Sequence, residues 1–229
     1  TVRLESLTTV TGSGDGVRFT LDTSASLPEL LTATRISLNA GNNQTISLPK
    51  LNSLSSSTLI INNLGTIDAP ATASFKLNNL ILSGTGRLIA PSLDNIDESS
   101  IVVSAGAQYT LPSRITTYQV RSSPAFREQL KMFSATGAGS VIDVSSLESI
   151  QGTYNSYQSR QTVEAVDGAT VDLSGLKTLT VGGTSIEYGQ FEIRTSNGTV
   201  RLESLTTVTG SGDGVRFTLD TSASLPELL

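Results

Sequence analysis

TVRLESLTTVTGSGDGVRFTLDTSASLPELL fills residues 1–31, and the same letters return without a change at residues 199–229. An unchanged copy at a spacing of 198 residues is beyond chance, so the chain comes from a periodic object: a recent tandem duplication, a designed array or a cut from one. Repeat architectures bury their apolar faces only against neighbouring repeats. Neither end of the chain has the polar character of a capping repeat, and the expectation is that flanking sequence continues the pattern.

Inside this long period a shorter motif recurs: apolar, any residue, apolar, then Pro, Ser or Glu, any residue, and Leu. It stands as VRLESL at 2–7, ISLPKL at 46–51, LIAPSL at 88–93, IDVSSL at 142–147, VDLSGL at 171–176 and VRLESL at 200–205. Degenerate copies centre on Leu27, Ala69 and Leu111. Taking the second apolar residue as a marker gives positions 4, 27, 48, 69, 90, 111, 144, 173 and 202, with steps of 23, 21, 21, 21, 21, 33, 29 and 29. A step of 21 holds three short strands and their corners, and is too short for a helix-based repeat.

Between markers lie short β-rich runs such as residues 58–62, 79–83 and 100–104. Glycines at 65, 84, 86, 106, 139, 168 and 198 mark sharp corners. Pro49, Pro70, Pro91 and Pro112 each follow a marker, where a strand can end without losing a ladder donor. Alternation in Val171-Asp172-Leu173 turns the outer two residues inward and the middle one outward. The expected fold class is all-β: a right-handed parallel β-helix (solenoid) of about 21–33-residue rungs, its hand following from short parallel crossovers. Residues 1–229 are expected to form a single continuous solenoid, with 1–198 as one full unit of about eight rungs and 199–229 as the start of the next. At about 4.8 Å per rung that unit advances roughly 38 Å, and its open end rungs invite pairing with another copy.

Composition narrows the function. The net charge of −5 supplies no basic field for nucleic acid or an anionic membrane surface. Without cysteine or histidine, disulfides, thiolate or imidazole metal sites and Ser-His-Asp or Cys-His nucleophile systems are ruled out. No apolar run approaches the roughly 20 residues of a spanning helix.

The runs NLGTIDAP (63–70), VIDVSSLESI (141–150) and ATVDLSGLKTLT (169–180) resemble the β-helical repeats of giant bacterial surface proteins and filamentous adhesins. The likeness is one of pattern and covers the whole chain. It implies secretion to the extracellular space or cell surface, and a structural role in a filament, stalk or fibre whose units stack end to end and touch laterally. Under this resemblance the chain is not an enzyme, needs no cofactor, and has itself as its first partner, with a glycan or cell-surface ligand as a further one.

The long rungs between about 112 and 201 break the uniform repeat, and seven of the eleven aromatic residues fall there. Aromatic loops on a rigid scaffold make contact surfaces, so Tyr118, Phe126, Leu130, Phe133, Tyr154, Tyr157 and Tyr188 form the candidate one. That is the basis of the alternative function, an adhesin binding glycan or a partner surface. One short helix is expected from Ser123 as N-cap and Pro124 in the first turn, with Phe126, Leu130 and Phe133 on one face. That face is expected either to pack on the solenoid's own flank or to dock on a neighbour. A lesser alternative, a polysaccharide-cleaving enzyme, rests on Asp143 and Asp172 at one outward position of successive rungs, with Arg201 next in line. A solvated charge ladder accounts for them more simply. Gly12–Gly16 with Asp15, and the cluster Asp94, Asp97 and Glu98, are candidate Ca2+ turns, each without the nine-residue iteration of calcium β-rolls. Asn43 and Asn197 match the N-glycosylation pattern, and left-handed corners account for them more simply.

Overall fold

The computed structural model describes residues 4–20, 23–41, 43–122, 129–154, 160–183, 190–211 and 214–220. It is all-β: no helix occurs among the described residues, the strands pair in parallel register, and the architecture is a parallel β-helix. Two compact units divide the chain, residues 1–99 and 100–229.

The first unit is built of three-strand rungs. The opening rung is β1 (Thr9–Thr11), β2 (Val17–Thr20) and β3 (Ala25–Ser26). Next come β4 (Thr32–Thr34), β5 (Ile36–Ala40) and β6 (Thr45–Ser47), then β7 (Ser53–Ser55), β8 (Thr58–Asn62) and β9 (Thr66–Asp68). The last is β10 (Ser74–Lys76), β11 (Asn79–Ser83) and β12 (Arg87–Ile89). Every third strand pairs, giving the ladders β1-β4-β7-β10, β2-β5-β8-β11 and β3-β6-β9-β12. The register repeats at the 21-residue step, as in Thr32↔Ser53, Ile46↔Ile67 and Thr58↔Asn79.

The second unit follows the same plan with longer rungs. Its first is β13 (Ser100–Ser104), β14 (Gln108–Thr110) and β15 (Thr117–Gln119), and its second β16 (Gln129–Thr136), β17 (Val141–Asp143) and β18 (Ser149–Tyr154). The third is β19 (Arg160–Val166), β20 (Thr170–Asp172) and β21 (Thr178–Gly183). The fourth is β22 (Gln190–Ser196), β23 (Thr199–Arg201) and β24 (Thr207–Ser211), after which β25 (Val215–Thr218) extends the first ladder. The ladders are β13-β16-β19-β22-β25, β14-β17-β20-β23 and β15-β18-β21-β24.

The short motif has a direct structural meaning. Its marker follows the end of a strand, and its N–H extends the ladder to the next rung, as Leu48 does to the Asp68 carbonyl at 2.7 Å and Val144 to that of Asp172 at 3.0 Å. The same marker opens a β-turn closed by the motif's last residue: Leu51 N–H donates to the Leu48 carbonyl and Leu176 N–H to that of Leu173. Pro49 and Pro91 therefore take the second turn position, where φ near −65° is wanted. Around Leu111 the turn slides one residue, and Ile115 N–H closes it on Pro112. The apolar positions become buried columns: Leu30, Leu51 and Leu93 in the first unit, and Ile115, Leu147, Leu176 and Leu205 in the second.

Two kinds of corner join the remaining strands. One carries most of the expected glycines, and at Gly65 and Gly86 the reason is approach to the rung before: a Cβ would collide with the carbonyl oxygens of Ala40 and Ile61. The other, in the first unit, has a non-glycine residue in the left-handed region, at Arg35, Ser56, Leu77 and Glu98, with φ between 52° and 61°. Below it runs a buried polar ladder. Ser57 Oγ accepts from Ile36 N–H, Asn78 Oδ1 accepts from Ser57 N–H, Ser99 Oγ accepts from Asn78 N–H, and Asn78 Nδ2 donates to the Leu54 carbonyl.

The helix expected between Ser123 and Phe133 is not the conformation of its second half. Residues 129–133 belong to β16, and 123–128 lie outside the described residues. A bulge at Met132 explains the misleading periodicity: register to β19 shifts between Lys131 and Phe133, so Leu130 and Phe133, three apart, both turn inward.

Candidate functional site

The long rungs grow at one corner. In the first unit only Arg35 separates β4 from β5, and two residues separate β7 from β8. In the second unit nine, five and six residues of sequence separate β15 from β16, β18 from β19 and β21 from β22, and β18 and β21 run six residues where β7 and β10 run three. The first unit closes its rungs without this added backbone, so the core does not require it.

A groove of about 500 Å3 opens over the extended ladder β15-β18-β21-β24. Gln119, Gln151, Thr180 and Thr209 share one outward position on four successive strands. One step along lie Gly152, Val181 and Gly210, and one further Gly182 and Ser211. The glycines leave the space: a Cβ at Gly152 would crowd the Gln119 amide and Val120, and one at Gly182 would collide with Ser211 Oγ. Among the described residues no lining side chain carries a charge, while amides and hydroxyls supply both donors and acceptors.

Charges gather instead on the ladder through β16, β19 and β22. Glu164, 1% exposed, accepts from Ser134 Oγ at 2.7 Å, pairs with Lys131 Nζ at 2.7 Å and is gripped by the Arg194 guanidinium, Nε at 2.8 Å. Burial alone would raise its pKa, but hydrogen bonds from Lys131, Ser134 and Arg194 and the Lys131 charge prevail and hold it below the usual carboxylate range. Glu192 pairs with Arg160 at 3.2 Å and accepts from Thr218 Oγ1 at 2.9 Å. Both carboxylates are neutralised locally.

The aspartate ladder is present: Asp143, Asp172 and Arg201 lie in register on β17, β20 and β23. Asp143 accepts from Ser145 N–H and Oγ, Asp172 accepts from Ser174 N–H, and Arg201 reaches Asp172 at 2.8 Å and Glu203 at 2.9 Å. These carboxylates brace the β-turns that follow their strands.

The expected aromatic contact surface is corrected where the structure describes it. Tyr118 and Phe133 are fully buried, their ring centroids 5.2 Å apart, and Leu130 is 7% exposed, so all three belong to the interior. Tyr154 ends β18, with its side chain outside the described set, and Phe126, Tyr157 and Tyr188 lie outside the described residues. Gly12–Gly16 is a corner loop closed by Gly16 N–H to the Ser13 carbonyl, straddling the Arg35 carbonyl. Asp97 binds Asn95, and Glu98 pairs with Lys76 at 3.2 Å. Among the described residues no three carboxylates converge as a metal site. Asn43 and Asn197 occupy left-handed corners at φ 66° and 53°.

The groove is lined mainly by polar residues and glycines, which the apolar motif does not select. Its signal was legible: Gln119, Gln151, Thr180 and Thr209 recur at steps of 32, 29 and 29, nearly those of the markers, with Gly152, Gly182 and Gly210 close behind.

Fold and groove define a parallel β-helix carrying a polar surface cleft. No family model, curated protein or solved structure matches the chain.

Proposed function

We propose that the chain is a structural repeat unit of an extracellular filament, stalk or surface fibre, in which 198-residue units stack end to end. One observation carries this: the duplicated segment is seen with each of its two edges in use. Residues 9–11 and 17–20 receive β4 and β5 on one edge. Their copies in β24 and β25 lie on β21 and β22 by the other edge, and β23 lies on β20. The copies share their elements where both are described: β25 covers the positions of β2 shifted by 198, β24 starts where β1 does and runs two residues further, and the turns Leu4–Leu7 and Leu202–Leu205 close with the same bond, 3.2 and 3.0 Å long. A rung accepted on both edges is a junction between consecutive units, and the contact between rungs 170–182 and 199–211 has the pairing one unit would make with the next.

Residues 1–198 alone should therefore associate head to tail. Electron microscopy and sedimentation are expected to show unbranched filaments with an axial repeat near the length of eight rungs. Discrete monomers at high concentration would refute the proposal. Polysaccharide cleavage finds less support, because Asp143 and Asp172 are committed to turn and ion-pair contacts.

A further inference from the structure

We infer that the groove above Gln119, Gln151, Thr180 and Thr209 is a binding site for a neutral oligosaccharide lying across the rungs. Four strands at about 4.8 Å spacing give it a length of about 14 Å, and its volume of about 500 Å3 falls in the range of small-ligand sites. It exists because β18, β21 and β24 run past the point where β7 and β10 end, and because glycine stands where a side chain would fill it.

The lining selects the chemistry. Among the described lining residues an anionic polymer would meet no lysine or arginine, and a nucleic acid needs such cations to displace its counterions. A cationic ligand would find no carboxylate among those residues. An extended peptide binds sheets by adding to an edge, but β21 is paired on both sides at Thr178–Gly182 and β18 at Ser149–Gln151, so over most of the groove floor only side chains face the ligand. The described lining offers two primary amides and three hydroxyls, each both donor and acceptor, at regular intervals. Their complement is a neutral chain of repeated hydroxyls.

The test is titration of the whole chain, followed by amide chemical shifts, with hexasaccharides of β-1,4-glucan, β-1,3-glucan, α-mannan and chitin, beside heparin and an uncharged extended peptide. At least one neutral hexasaccharide should bind and perturb residues 151–152, 180–182 and 209–211. Thr180→Val keeps the β-branched shape and loses a hydroxyl, and Gln151→Ala loses an amide. Each should weaken that binding roughly three- to tenfold, the value of one neutral hydrogen bond, with the urea midpoint unchanged. Gly182→Val should abolish binding by filling the floor, and should it fail to fold, the other two variants decide. Binding of none of the four, a preference for heparin or peptide, or binding indifferent to Thr180→Val and Gln151→Ala would overturn the inference. The readout does not depend on filament formation.

Discussion

At the scale of single residues, buried polar atoms carry obligations that exposed ion pairs do not. Asn78 is fully buried and satisfies both the Ser57 N–H and the Leu54 carbonyl at 2.7 Å. Asn78→Ala strands two buried backbone groups, and the expected loss is about 2–4 kcal/mol, read as a drop in urea midpoint. Lys50→Ala breaks a 2.7 Å contact to Glu29 between half-exposed side chains and should cost under about 0.5 kcal/mol. Glu164 adds a pH dependence. Its folded pKa is lowered, so its contribution is complete above the ordinary carboxylate value near 4.3 and is lost as pH falls below that through the lowered value. Glu164→Gln leaves Lys131 and Arg194 facing each other. It should cost about 1–2 kcal/mol at pH 7, below the cost of breaking a fully buried pair because both cations are about half exposed. Denaturation curves of wild type and variant should converge in acid; a constant gap down to pH 2 would refute the ionic origin.

At the scale of elements, the corners decide how one strand feeds the next. Ser56 is exposed at φ 52°, so substitutions there test backbone geometry with little packing at stake. Ser56→Val should destabilise by about 1–2 kcal/mol and Ser56→Asn should be neutral or mildly stabilising, since Asn tolerates the left-handed region. Equal effects in thermal melts would argue against the corner. The same scale shows what the sequence made legible. Stacked rungs, their steps and the inward Leu columns could be read because each motif residue does one job at one place in every rung. The contact surface could not, because Tyr118 and Phe133 look alike whether they face solvent or pack together in the interior. Leu130 and Phe133 imitated a helix face because a bulge reverses the alternation between them. The groove hid in residues that no apolar pattern selects, and Gly152 and Gly182 signal it only when set against the neighbouring strand.

At the scale of the whole molecule, the duplicated segment makes one sequence both a donor and an acceptor of strands. Removing residues 199–229 exposes the edges of β20, β21 and β22, and removing 1–31 exposes those of β4, β5 and β6. Both edges are complementary to the same 31 residues. A synthetic peptide of residues 1–31 should therefore bind the chain 1–198 and also the chain 32–229, while a shuffled peptide should bind neither. In filaments grown from 1–198, that peptide would occupy the acceptor end without supplying residues 32 onward. Substoichiometric amounts should then shorten filaments measured by electron microscopy, with monomer concentration held constant. Because the peptide acts only through strand pairing at a rung edge, filaments of unchanged length would mean that units meet through their sides, and that the two-edged rung plays no part in assembly.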